Sequence, residues 1–188
     1  MGIDPGLDRT GWAVAEYDGT VGFVLCACGL IHTDANTPLQ KRLSQIYDEI
    51  KHIAQNFAPQ SAAMEEMFFL KRAYSVSHTI QTRGVILLAL EQCGLEVASY
   101  LPKRVKITLC GSGAADKKQM QRMTQLIFKL KSVLSPDDVA DAAAIALCHL
   151  KTAPFTLQMS AQQKFLDKIK QAKKEQAAKL KIRDLKIK

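Results

Sequence analysis

Four carboxylates stand where a folded chain ordinarily places apolar side chains, and their arrangement suits a hard-metal site. The chain opens MGIDPGLDRTGWAV, which sets Asp4 inside an apolar, glycine-bracketed stretch that reads as a core strand. Glu65 or Glu66 interrupts a second apolar run, Ser61 to Phe69. Asp138 and Asp141 lie three apart at the start of a helical pattern, so they share one helix face. A local explanation covers part of this set. Ser135-Pro136-Asp137-Asp138 reads as an N-cap followed by first-turn acids that complement the helix dipole and close a capping box. That does not reach Asp141, which sits in VADAAAIAL among residues small and apolar enough to pack on a sheet. A buried, unpaired carboxylate costs several kcal/mol unless it is neutralised or given a cation. No Arg or Lys stands at helical spacing beside Asp141 to supply one. Carboxylates from three separated segments, meeting at strand ends and a helix start, would form an oxygen-ligand site for Mg²⁺ or Mn²⁺.

Such a site needs a scaffold that brings distant segments together, and the hydrophobic pattern supplies one. Gly11 to Tyr17 and Phe23 to Ile31 read as strands flanking an Asp18-Gly19 turn, after a short first strand ending at Asp4. Only Met1, Gly2 and Ile3 precede Asp4, so this strand is either short or lacks its natural start. Thr37-Pro38 reads as N-cap and first helical position of a helix with Leu39, Leu43, Ile46, Ile50 and Ile53 at helical spacing, ending near Phe57-Ala58-Pro59. Tyr74 to Gln92 is predicted as a second helix closed by Gly94, and Val97 to Leu101 as a strand. Asp116 and Gln119 form a capping box for a basic helix, and Ser135-Pro136 opens a last core helix through Leu150. The predicted order is β-β-β-α-β-α-β-α-α, an α/β domain.

Composition bounds what this domain is for. At 188 residues and 47% hydrophobic content the chain supports one well-buried domain. No run approaches the roughly 18 uninterrupted apolar residues of a membrane helix, and no signal peptide opens it, so a cytoplasmic location is expected. The odd count of five cysteines, without paired C-x-x-C motifs, reads as reduced, buried thiols. The net charge of +8 is unevenly placed: residues 1–150 hold 15 basic and 15 acidic side chains, and residues 151–188 hold 11 and 3. The expected division is therefore 1–153 as the main domain and 154–188 as a Lys-rich helical or disordered arm. Within the main domain the charges are sorted. From Lys103 to Lys131 eight basic residues face a single acid, Asp116, which makes a candidate phosphate-facing surface or a merely solvated face.

The blocks GIDPGLDRTG, AMEEMFFLKRAYSVSHTIQTRG, PKRVKITLCGSGAADKKQMQ and DVADAAAIALCH, in this order, resemble the signatures of the RuvC family of Holliday-junction resolvases across nearly all of residues 1–150. The resemblance implies a ribonuclease-H-like fold, with a five-stranded mixed sheet flanked by helices on both faces. It implies catalytic and metal-binding roles for Asp4, Glu65, Asp138 and Asp141, choosing Glu65 over Glu66. Two Mg²⁺ ions per active site would lie about 3.5 to 4 Å apart with Asp4 bridging them, and Mn²⁺ would substitute. It further implies that Phe68 lies at the junction crossover and that Lys106 and Lys117 lie near the scissile phosphate. Lys118 and Arg122 extend that basic surface. From its type alone Phe68 reads equally as a core residue. The Tyr74 to Gln92 helix resembles the family's dimer helix, and the implied partners are four-way junction DNA, a second copy of the chain, and the RuvA and RuvB branch-migration complex, with no membrane.

Two other classes fit parts of the pattern. DPGLDRTG is similar to the first phosphate loop of sugar kinases and actin-like ATPases, but that architecture doubles the domain and 188 residues cannot hold two copies with a nucleotide cleft. A non-catalytic junction-binding protein would have no use for a full acidic quartet.

Overall fold

A computed structural model describes residues 1–66 and 73–153 of the chain. The expectations placed on Phe68, on Phe69 and on the arm 154–188 lie outside these residues. The elements run β1 (Gly2–Asp4), β2 (Arg9–Asp18), β3 (Gly22–His32), α1 (Leu39–Phe57), β4 (Ala62–Glu65), α2 (Ala73–Gln92), β5 (Val97–Tyr100), α3 (Pro102–Cys110), α4 (Lys117–Ile127) and α5 (137–153). The sheet order is β3-β2-β1-β4-β5, with β1 antiparallel to β2 and parallel to β4, and β4 parallel to β5.

The strands form where the alternation of their side chains matches the two faces they separate. Ile3 and Met64 face α1 and α2, in a core with Val14, Ile46, Ile50, Ile86 and Leu90. The opposite face carries Ala13, packed with Val105, Leu109, Met120, Ala142, Ala143 and Leu147 under α3, α4 and α5. Three-residue β1 is stable because it is central, with partners on both sides and Ile3 fully buried. The β2–β3 hairpin is turned by Asp18, whose Oδ1 accepts from the Thr20 and Val21 amides at 2.8 and 2.9 Å. On α1 the 3.6-residue spacing of Ile46, Ile50 and Ile53 lies wholly on the buried side, each such side chain contributing about 1.5–3 kcal/mol by burial.

Several sequence expectations need correction. Helix α3 was not expected, and the order gains one helix. Its brackets are nonetheless a proline at the first helical position and Gly111 just past the end, in the left-handed region at φ 73°. Pro38, not Thr37, is the N-cap of α1, with no side-chain cap. The capping box on α4 forms as expected, Asp116 Oδ1 accepting from Gln119 N at 2.8 Å and Gln119 Oε1 from Asp116 N at 2.9 Å. The one expected at Ser135 is replaced by bonds from the Val139 and Ala140 amides to the Pro136 carbonyl. The acids that follow are engaged elsewhere. No disulfide joins the five cysteines, yet only Cys148 is buried and Cys26 is exposed at a bulge in β3.

Candidate active site

The turn that follows Asp4 is held from below by α1. Thr33 donates through Oγ1 to the Leu7 carbonyl at 2.6 Å, buried Arg42 donates through Nε to that hydroxyl at 2.8 Å, and Arg42 also pairs with Asp8. Thr10 donates to the Gly6 carbonyl at 2.7 Å. These bonds close the tight reversal from β1 into β2, leaving Asp4 at the end of a central strand with little freedom.

Glu65 ends β4, the parallel neighbour. The register pairs Gly2 with Ala63 and Ile3 with Met64, which brings Asp4 and Glu65 to adjacent strand ends. Arg83 of α2 donates to the Glu65 carbonyl at 2.5 Å and to Ser99 Oγ at 2.6 Å, fixing the strand end. Successive strand residues point to opposite faces. Glu66 is exposed, in the field of Arg83, while Glu65 is half-buried in the field of Asp141 and Lys106.

Asp138 and Asp141 arrive on α5, and glycine permits that helix to come close. A Cβ on Gly11 would fall far inside 3.0 Å of the Asp138 carbonyl, and one on Gly2 would strike the backbone of Ala142 and Ala146. The alanines of α5 complete this contact, since larger side chains would lift the helix from the sheet. At the far end buried His149 bonds through Nε2 to Ser61 Oγ at 2.8 Å and through Nδ1 to Tyr100 OH at 2.9 Å. Burial holds this imidazole down to about 4, so it stays neutral and α5 stays tied to β4 and β5.

The four carboxylates sense one another. Burial pushes the Asp4 carboxyl up to about 7, reinforced by the charges of Asp141, Glu65 and Asp138 and opposed by Lys117. Burial also raises Glu65, with Asp141 adding to the shift and Lys106 opposing it, and it raises Asp141 against the pull of Lys117. This is an excess of negative charge in a half-buried place. The chain's own cations relieve part of it. Arg9 Nη2 lies 2.5 Å from Asp138 Oδ2, and Lys117 Nζ lies 3.1 Å from Asp141 Oδ2 and 3.2 Å from Asp137 Oδ2. Asp137 also accepts from Gln121 at 2.9 Å.

Among the described residues no three His, Cys, Asp or Glu side chains are gathered tightly enough to enclose an ion. Asp138 and Asp141 instead hold the cations just named. The donor set still fits a hard dication, since it is all oxygen, carries surplus negative charge, and already attracts an ammonium and a guanidinium. Of the basic residues expected at a phosphate, Lys106 on α3 and Lys117 at the start of α4 flank the quartet, while Lys118 and Arg122 lie four apart on the exposed side of α4.

Sequence reasoning missed Arg9 and Arg83. Arg9 lies inside the first block, and the tight turn returns it toward the strand end carrying Asp4, a signal available from the Pro5-Gly6 reversal. Arg83 lies inside the second block but mid-helix, where nothing local marks its partner, and only the fold reveals its contact with the Glu65 carbonyl.

Residues 1–149 match the family model described as crossover junction endodeoxyribonuclease RuvC. A protein of that name from Roseiflexus sp. (strain RS-1) is 44% identical over 155 residues, 82% of this chain and 91% of the relative. Its counterpart from Chloroflexus aggregans is 47% identical over 158 residues, 84% and 95% of the two chains. The solved Thermus thermophilus RuvC superposes with a TM-score of 0.77 at 30% identity, covering 82% of this chain and 95% of that one. The same protein in complex with a Holliday junction substrate superposes with a TM-score of 0.75 at 28% identity, covering 82% and 94%. The five-stranded mixed sheet with helices on both faces is the ribonuclease-H-like arrangement that the resemblance implies. With the family model spanning its sheet and the helices that carry all four carboxylates, the chain belongs to the RuvC family of crossover junction endodeoxyribonucleases.

Proposed function

We propose that this chain is a homodimeric, Mg²⁺-dependent endonuclease that resolves four-way DNA junctions by paired symmetric nicks, leaving 5′-phosphate ends that can be religated. One observation carries the reading: Asp4, Glu65, Asp138 and Asp141 converge from β1, β4 and α5 within mutual electrostatic reach, beside Lys106 and Lys117. Family membership supports the substrate, since a relative is solved with a Holliday junction.

The four carboxylates would hold two Mg²⁺ ions. Bound there, the ions supply an activated water and charge stabilisation of the leaving 3′ oxygen in an in-line displacement. The chain itself positions and neutralises. The fixed strand ends set Asp4 and Glu65 at one depth, and α5 sets Asp138 and Asp141 opposite them. Lys106 and Lys117 offset the phosphate charge as the strand approaches a site that would otherwise repel it. Lys118 and Arg122 extend the contact along the backbone, and Phe68 would stack at the crossover.

Paired nicks require two sites related by symmetry, and α2 supports a dimer. Its inner side buries Thr82, Ile86, Ala89 and Leu90 in the chain's own core, while Ile80, Leu87 and Leu88 remain exposed around Gly84. Leu90, read from the sequence as part of the dimer helix, therefore serves the fold. The nuclease domain would span 1–153, with 154–188 an appended basic arm, and the RuvA and RuvB complex would deliver the junction in the cytoplasm.

The deciding experiment incubates the protein with a synthetic four-way junction and with a linear duplex of the same arms, with Mg²⁺ or with EDTA. Symmetric nicks in the junction alone, dependent on Mg²⁺, are expected; equal cutting of the duplex, or cutting in EDTA, would overturn the reading.

A further inference from the structure

Arg9 takes no part in the chemistry proposed for the quartet, yet it makes the shortest ion pair to any of the four carboxylates. Its Nη2 lies 2.5 Å from Asp138 Oδ2, with the Arg9 side chain 46% exposed and that of Asp138 27%. The backbone beneath it is fixed: Arg9 pairs with His32 across the β2–β3 ladder, and Thr10 beside it is fully buried. Motion is thus left to the side chain, a long stem ending in a planar fork of five donors. The other carboxylates near it are engaged. Asp8 is held by Arg42, and Asp137 accepts from Lys117 and Gln121.

A guanidinium and a dication compete for the same lone pairs of Asp138. If Asp138 turns to an ion, Arg9 is left half-exposed at the rim with no free carboxylate beside it among the described residues. The anion that fits its fork there is a phosphodiester, which accepts two parallel N–H bonds as a carboxylate does.

We propose that Arg9 exchanges partners, holding Asp138 in the metal-free protein and moving to a phosphate of the junction strand when Asp138 takes up a divalent ion. The exchange rests on the reading of the quartet as a metal-dependent nuclease site. It makes metal and DNA reinforce each other: each releases the group the other needs, and the coupling is the same from either side. Arg9 is then both a lock on the empty site and a contact in the loaded one.

The lock can be tested without metal or cleavage. Junction affinity is measured in EDTA for the wild type, Arg9→Gln, Asp138→Asn, the double variant Arg9→Gln/Asp138→Asn, and Asp4→Asn as a charge control. Asp138→Asn frees Arg9 and is expected to tighten binding by about tenfold, the scale of one charge-assisted contact. With all affinities measured at pH 8, Asp4→Asn removes a carboxylate charge without freeing a cation and should gain about threefold at most. The double variant keeps the net charge of the wild type and should bind like it, and Arg9→Gln alone, which leaves the Asp138 carboxylate without its cation, should weaken binding by about threefold at most. A second measurement titrates Mn²⁺ into the protein alone, where Arg9→Gln should bind at least about threefold tighter because the competitor is gone. Retention of the full gain in the double variant, or weaker Mn²⁺ binding by Arg9→Gln, overturns the exchange. Thermal melts confirm that each variant is folded, and the Mn²⁺ titration stands even if Asp138→Asn is not. A wild type that neither binds nor cuts the junction would instead defeat the nuclease reading itself.

Discussion

The Asp138 carbonyl lies directly over Gly11, at a distance that leaves no room for a Cβ. Gly11 is also the ladder partner of Asp4, so one residue sets the gap between the strand carboxylate and the helix carboxylates. Gly11→Ala must push the start of α5 away or bend β2. We expect a loss of about 1–3 kcal/mol in stability and a drop of at least about a hundredfold in cleavage, since a displacement near 1 Å suffices for that. Gly19→Ala, at a position open to solvent, is the control and should change neither. Thermal melts and single-turnover cleavage measure the two effects; a Gly11→Ala protein of full activity would show that α5 is not held at this distance.

Asp4 carries a stability signature of its own. Its carboxyl is raised from 3.8 to about 7, so the folded chain binds that proton more tightly than the unfolded chain does. The corresponding stability is complete below about pH 4 and is lost as pH rises toward 7. Asp4→Asn removes this loss. In EDTA it should stabilise the protein at pH 8 by about 2 kcal/mol, taking roughly half the full shift for partial exposure, and by nearly nothing at pH 4. Scanning calorimetry at the two pH values tests this. Adding Mg²⁺ should then stabilise the wild type and leave the variant unmoved, whereas equal stabilisation of both would remove Asp4 from the ligand set.

Glu65 and Glu66 are neighbours with opposite surroundings, one beside Asp141 and Lys106 and the other exposed near Arg83. Glu65→Gln should eliminate Mg²⁺-dependent cutting. Glu66→Gln should keep the rate within a few fold and alter stability by about 1 kcal/mol or less. Single-turnover cleavage of one synthetic junction by both variants decides the matter, and the reverse outcome would shift the expected crossover aromatic from Phe68 to Phe69.

What was legible in the sequence follows from how local each signal is. The strands and α1 show because alternation and 3.6-residue spacing are written into ten or twenty consecutive residues, as in Ile46, Ile50 and Ile53. The four acids show because each breaks such a pattern. Helix α3 escaped because nine residues rich in basic side chains carry little periodicity, and only its proline and glycine brackets mark it. The cation that Asp141 needs was absent at helical spacing because it comes from α4, as Lys117, through a contact that only the fold creates. Arg9 and Arg83 act in the same way, from strand to helix and from helix to strand end.

The last expectation concerns the arm, whose composition alone sets it apart. Residues 1–150 carry balanced charge, so the surplus of +8 resides in residues 151–188, while the quartet, Lys106 and Lys117 all lie before it. Lys164, Lys168, Lys170, Lys173, Lys174, Lys179, Lys181, Arg183, Lys186 and Lys188 set ten cations against three acids. Such a segment suits diffuse contact with phosphates. Each duplex phosphate it neutralises adds about 0.9 to the slope of log affinity against log salt. Truncation before Ser160 should therefore weaken junction binding and flatten that slope by about 0.9 for every phosphate the arm no longer neutralises. The positions of the nicks should not change, because no residue assigned to the chemistry is removed. Binding titrations from about 50 to 200 mM salt, with cleavage mapped on the same junction, measure both. An unchanged slope would mean that the arm does not touch DNA, and displaced nicks would mean that it helps to place the crossover in the site.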